Sequence, residues 1–420
     1  MIRAIQMNPS NRQLLIISLI VFIGFVGVAI PFPIFAPMFL NPLSGSMIPH
    51  SWDQSMRGMM LGVALSVYPL GQFIGSPILG SLSDHYHRKI LLSLCLLGTT
   101  IGYLLTAYSI FKGNLVLLIM SRFLTGILEG NVAIARAMAA DLPNMNRYRG
   151  FGIIGFATTM GYIIGPVIGG IFSDKSIYPW FNFYLPFCFA ALLSLLAFFT
   201  AYFYLPETGD VIKNNNKKNI FQINIFNRIK KLSENESMID LFMAMFLLFL
   251  SVDIYYEFFP AYLTGQWHIM SSGIAIFTLT LAIAVGVGDV LLVPMMFRLR
   301  DDIKTIRYFS SFLALLIITI LLCTKLKYLY PIFFLMGLAI ATATTTMFIY
   351  ISNVSKKESQ GEAMGLALSM RTLGDGLSCL VGGLLIGISF KLPMILSAMF
   401  AILSIASLMR LKKITKKHLT

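Results

Sequence analysis

Charge is what this sequence has least of. Of its 420 residues, 12% are Asp, Glu, Lys or Arg and 57% are hydrophobic, whereas a soluble domain usually carries about 25% charged residues. That balance excludes an ordinary water-soluble globule. Cysteine is also scarce. Cys95, Cys188, Cys323 and Cys379 form no CxxC pair and all fall within apolar stretches, so they read as small buried hydrophobes rather than a disulfide framework. There is no Walker loop, and the glycine runs lie inside hydrophobic stretches rather than after a strand, so ATP drive is not expected. Nor is a short cleavable leader evident, since the first apolar run is long enough to stay as a span.

What the chain has is long hydrophobic runs. Stretches of 18 or more apolar residues recur from end to end, and a bilayer-spanning helix needs about 20. Twelve spans are expected, over 14–38, 58–80, 90–110, 115–139, 150–172, 179–204, 239–264, 272–296, 306–324, 328–352, 362–386 and 391–410. With the N-terminus inside, the cytoplasmic segments hold 23 Lys and Arg, the opposite side six, and the spans Arg122, Arg136 and Arg371. The positive-inside rule therefore places both termini in the cytoplasm. It also accounts for the net charge of +14 without a nucleic-acid partner.

One connection is long. Residues 209–237 contain the low-complexity "KNNNKKN", suited to a flexible linker, and the amphipathic "IFQINIFNRIKKL", suited to an anionic membrane surface. The linker divides the chain into a first six-span half, 1–208, and a second, 238–420, a common transporter design. A faint repeat agrees: "GYIIGPVIGGIF" in span five and "GDGLSCLVGGLL" in span eleven both end in a Gly-Gly pair beside large aliphatics.

Three motifs carry a resemblance. "GSLSDHYHRKILL", between spans two and three, is similar to the signature G-x-L-a-D-r-x-G-r-[RK] at Gly80, Leu82, Asp84, Arg88 and Lys89. His85 stands where arginine is usual, and His87 where glycine is usual. Span five fits G-x8-G-x3-G-P-x2-G-G at Gly152, Gly161, Gly165, Pro166, Gly169 and Gly170. Span four opens with Arg122 and Gly126 in the pattern R-x-x-q-G, with Thr125 in place of glutamine. "LPET" closes span six, and "QGEAMG" precedes span eleven. The chain thus resembles the major facilitator superfamily, and within it the twelve-span drug:proton antiporters, including the tetracycline-efflux type. The resemblance implies an all-α fold of two six-helix bundles working by alternating access. It also implies a cytoplasmic latch at the first motif and close helix packing at the second, where glycines admit a neighbour and proline bends the span.

Leaving aside Asp240, Arg307, Glu362, Lys391 and Arg410 at the very ends of spans, eight charges lie within the expected spans: Arg122, Glu129, Arg136, Asp253, Glu257, Asp289, Arg371 and Asp375. Each costs about 2.5–3.5 kcal/mol at the bilayer centre even on the lenient insertion scale. Facing lipid, the eight would cost over ~20 kcal/mol, more than a typical fold's whole stability. They are therefore expected to face the protein interior. The sevenfold spacing of Arg122, Glu129 and Arg136 keeps them on one helix face, and Asp253 and Glu257 are one turn apart, as are Arg371 and Asp375. The span of Asp253 and Glu257 supplies no basic residue. Two such carboxylates in a poorly solvated place disfavour double ionisation, which suits a proton carrier. Span one has no acid between Leu14 and Leu40.

These readings converge on a non-enzymatic, multi-pass carrier of a bacterial inner membrane, acting as a monomer. It is expected to export a small molecule or drug in exchange for protons, with no cofactor beyond the proton gradient. Proton coupling is assigned to Asp253, Glu257 and Glu129, and the substrate cavity to Arg122, Gln72, Asp289, Arg371 and Asp375. No metal site is expected, since His85 and His87 lack a third ligand. Two alternatives stand: transport of a polar anionic metabolite such as a carboxylate siderophore or organic acid, and a non-transporting membrane sensor. The sensor would call for an enlarged terminal or loop domain.

Overall fold

The computed structural model describes residues 9–41, 47–49, 51–140, 142, 147–207, 236–297, 301–354 and 360–410, and within them all side chains except those of 84–85, 140, 147–152, 236–238, 297 and 360–366. The linker with its amphipathic stretch lies outside these residues, as do the side chains of Asp84 and of "QGEAMG". Among the described residues there is no strand.

The helices are α1 (Pro9–Ala29), α2 (Phe32–Leu40), α3 (Gln54–His85), α4 (Arg88–Lys112), α5 (Leu115–Glu129), α6 (Val132–Ala140), α7 (Arg147–Ser173), α8 (Leu185–Tyr204), α9 (Glu236–Trp267), α10 (Ser271–Val287), α11 (Val293–Phe297), α12 (Asp302–Leu322), α13 (Leu329–Val354), α14 (Gln360–Ile388) and α15 (Leu392–Arg410). They make twelve segments long and apolar enough to cross a membrane, the number the hydrophobic runs predict. The sixth begins at Leu185, later than expected, after a turn in which the Tyr184 and Leu185 amides donate to Asn182 Oδ1. Cys323 lies just past the end of α12 rather than inside it, and all four cysteines are free.

Four spans are not single α-helices; the tenth opens with a 3-10 turn, Leu326–Tyr328. The first breaks at Ile30–Pro31, where proline cannot continue the ladder. The fourth breaks at Gly130–Asn131, between α5 and α6. The eighth passes through a π-helical turn, Gly288–Leu292, between α10 and α11.

By its contacts the chain forms two compact units, one of residues 1–50, 67–223 and 270–275, the other of 51–66, 224–269 and 276–420. In the first, α1 packs on α7 and α8, and α4 on α5 and α8. In the second, α9 packs on α14 and α15, and α12 on α13 and α15. Counted by span, these are the same four pairings, so the faint sequence repeat reflects a structural one. Its glycine pairs behave alike. A Cβ at Gly169 would strike Ile30, just past α1, and one at Gly382 would strike α9 at Phe258. Gly170 faces Ser271 and Ala275, and Gly383 faces Gly58 and Gly62.

Small hydroxyl residues tie the helices. Thr99 bonds Ser194 at 2.8 Å. On α15, Ser397, Ser404 and Ser407 donate to the carbonyls of Ser251, Ala244 and Asp240 on α9, at 2.6, 2.7 and 3.0 Å. Such bonds between membrane helices contribute about 0.6 kcal/mol each, and their spacing fixes an antiparallel register.

Candidate functional site

In the first unit the buried charges sit where α3 and α5 cross closely. Cβ atoms at Gly71 and Gly75 would strike the α5 backbone at Phe123 and Ile127. Those at Gly126 and Gly130 would strike the α3 backbone at Tyr68, Gly75 and Ser76. Glycine is required because each backbone occupies its neighbour's Cβ space. Glu129 ends α5 at this crossing, 2% exposed. Its Oε1 accepts a hydrogen bond from the Tyr103 hydroxyl at 3.4 Å. Its Oε2 faces Gly24 of α1, where a Cβ would come within 3.1 Å. The acid missing from span one is thus matched by a glycine that makes room for the acid of span four.

Arg122, two turns earlier and 4% exposed, lays its guanidinium 4.5 Å from the Tyr68 ring centroid and 5.7 Å from that of Phe35. Arg136 does not continue their helix face. The break at Gly130–Asn131 puts it on α6, so the sevenfold spacing does not hold all three residues on one helix.

In the second unit α9 and α14 bring together residues 118 and 122 positions apart in sequence. A carboxylate oxygen of Glu257, one of Asp375 and the Cys379 sulfur all lie within 4.8 Å of one another. Asp253, one turn before Glu257, is 7% exposed. Among the described residues its Oδ2 has no hydrogen-bond partner. Arg371 lies one turn before Asp375, and its guanidinium is 5.1 Å from the Phe249 ring centroid. Its charge acts on Asp253 and Asp375 alike. Asp375, which the sequence reading places with the substrate cavity, thus stands with the carboxylates of α9.

Asp289 lies apart from this cluster, in the π-helical turn, where its Oδ1 accepts the Thr345 hydroxyl at 2.7 Å. The extra residue of a π turn re-aims a side chain without ending the helix. Gln72 is half-buried on α3.

At the signature motif, α3 ends at His85 and α4 starts at Arg88. Arg88 Nε donates to the Ser83 carbonyl at 3.2 Å. The Lys89 amide donates to Glu207 of "LPET" at 3.3 Å, and His87 Nδ1 is 3.7 Å from the same oxygen. Two separate motifs therefore meet. Histidine fits at position 87 because the backbone there has φ −57°, outside the region that favours glycine. Gly80 makes only ordinary contact with Ala133.

In the second motif, Cβ atoms at Gly161, Gly165 and Gly169 would strike the backbone of α1 around Phe22–Phe25 and Val26–Ala29 and that of Ile30 just past it, with Pro166 inside the same helix as the glycines. Gly152 lies on α7, but its surroundings fall outside the described side chains.

Tyr68, Tyr103 and Cys379 escaped the sequence reading as site residues. Only Cys379 left a trace there, four residues after Asp375. The tyrosines look like any aromatic in an apolar run until the helices are placed.

A twelve-span all-α chain with a repeated four-pairing bundle and carboxylates buried within its spans has the architecture of a membrane transporter rather than an enzyme. The family model of the Major Facilitator Superfamily matches residues 17–378 and 241–419, and the chain belongs to that superfamily. It is 34% identical over 201 residues to the class H tetracycline resistance protein of Pasteurella multocida, covering 47% of this chain and 45% of that one. The chain thus spans about half the length of that curated relative. With multidrug resistance protein 1 of Bacillus subtilis it shares 26% identity over 404 residues, 92% of this chain and 93% of the other. The solved D-xylose-proton symporter superposes with a TM-score of 0.77 at 13% identity, covering 96% and 98%, a likeness of fold.

Proposed function

We propose that this chain exports a small molecule across a bacterial inner membrane in exchange for protons, by alternating access, with both termini in the cytoplasm. One observation carries the proton assignment: three carboxylates, Asp253, Glu257 and Asp375, gather within the second unit. Three like charges in a poorly solvated place are not all held ionised at once. A cluster that shares fewer protons than it has carboxylates is suited to take up a proton on one side and yield it on the other, or to substrate. Glu129, bonded to Tyr103, is the competing site. The substrate is read as a small molecule or drug, supported by the tetracycline and multidrug resistance proteins that the chain resembles.

Proton-driven uptake into everted vesicles tests the assignment. Asp253→Asn/Glu257→Gln should still bind substrate and exchange it downhill but lose pH-driven transport, while Glu129→Gln retains it. Full pH-driven activity in the double variant would overturn the assignment.

A further inference from the structure

The cluster that serves the transport reading contains an element proton exchange does not require. Cys379 is 1% exposed. Its sulfur is grouped with one oxygen each of Glu257 and Asp375, all within 4.8 Å of one another. A tetrahedral site with metal–oxygen bonds of about 2.0–2.2 Å and a metal–sulfur bond of about 2.3 Å has ligand atoms roughly 3.4–3.7 Å apart. The three atoms would therefore have to draw together by about 1 Å to hold an ion.

A second observation points to the same place independently. Asp253 sits one turn from Glu257, 7% exposed. Among the described residues its Oδ2 lacks a hydrogen-bond partner; the charge of Asp375 acts on it, and its own charge acts on Cys379. A carboxylate oxygen buried without a donor is costly, and a cation supplies what no donor does.

We propose that Glu257, Asp375 and Cys379 bind a zinc-class divalent cation, with Asp253 completing a four-coordinate site. The donor set chooses the ion. A thiolate with carboxylates suits a borderline-soft metal such as zinc, cadmium or cobalt, whereas magnesium and calcium take oxygen alone. The charges also favour the filled site. Four anionic ligands face two charges on the ion and one on Arg371, so the filled site carries a net charge of about −1, smaller than the −2 of three ionised carboxylates beside Arg371 with the thiol protonated. Ligation through sulfur replaces the thiol proton, so each ion bound releases at least one proton.

The inference goes beyond the transport reading and does not depend on it, because it is read from bound metal rather than from transport. The test uses the untagged full-length chain in nanodiscs, titrated with cobalt(II). The expected result is about one tightly held cobalt per chain with a thiolate-to-cobalt band in the near ultraviolet, bleached by added zinc. Cys379→Ser should abolish the band, Asp375→Asn, which removes a ligand, should weaken binding by at least the ~10-fold that loss of an outer-shell partner costs, and Cys95→Ser should change nothing. No band in the parent chain, or a band that survives Cys379→Ser, overturns the proposal. Should Cys379→Ser fail to fold, zinc-edge X-ray absorption of the parent chain decides: one sulfur with oxygens supports the site, and a shell without sulfur refutes it.

Discussion

Replacing Gly165 with alanine isolates the packing role of the α7 glycines. The added Cβ would come within 2.6 Å of the Val26 carbonyl oxygen and 2.7 Å of the Ala29 Cβ, closer than such atoms approach. The backbone carbonyl cannot rotate away, so α1 and α7 must separate. Overpacking of this kind costs about 1–3 kcal/mol. Gly155→Ala on the same helix is the matched control, because a Cβ there meets nothing within 4 Å. Both changes bring the same helix-propensity gain, up to about 1 kcal/mol, so their difference leaves the steric part. At roughly 2 °C per kcal/mol for a long chain, Gly165→Ala should melt about 2–6 °C below Gly155→Ala. Thermal unfolding in nanodiscs, followed by size exclusion of the fluorescently tagged chain, gives the numbers. Gly165→Leu adds three further heavy atoms at the same crossing and should block transport or collapse the fold. A Gly165→Ala variant melting at or above Gly155→Ala would refute the argument that α1 and α7 need these glycines to meet.

Asp84→Asn should lose most transport while the protein stays folded in the membrane with its substrate affinity little changed, because the loop is read as a latch; normal transport in vesicles would remove that role. Asp174, just past α7, is pushed up by burial, but hydrogen bonds from Ser272 and Ser176 outweigh this and hold its carboxyl below the usual range. Its contribution to stability is therefore full above the unfolded aspartate value of about 3.9 and lost as pH falls through the lower folded value. Asp174→Asn should lack that acid-side step in a melting series, and curves of the same shape for both proteins would count against it. Ser272→Ala removes one of those hydrogen bonds and should move the step toward higher pH; an unmoved step would show that Ser272 does not hold the carboxyl.

The number and order of the spans were legible because hydropathy alone decides them: no polar backbone can cross a bilayer outside a helix or closed barrel. The repeat was half legible. Its glycine pairs showed at Gly169–Gly170 and Gly382–Gly383, but that the first of each pair faces the opening span of its own half is a matter of packing, not of pattern. Periodicity was least reliable where helices break. Arg122, Glu129 and Arg136 keep a perfect sevenfold spacing, which means one face only if the helix is continuous. Gly126 and Gly130, four apart, held the contrary signal. They match Gly71 and Gly75 on α3, and this close crossing sits at the break.

The carboxylates show a different limit. The sequence places Asp253 beside Glu257 because one turn joins them, and sets Asp375 aside because 118 residues separate it from Glu257. Packing of α9 against α14 makes Asp375 and Cys379 immediate neighbours of Glu257. Charge counting along the chain finds which residues must be buried, since exposure to lipid is prohibitive. It cannot find which of them share a place, and that sharing is the step on which proton exchange or metal binding depends. A single acid in an apolar helix is a cost that folding must offset. In the proposed readings, three acids and a thiol brought together by two helices share exchangeable protons or a cation, with the Arg371 charge held near over the Phe249 ring.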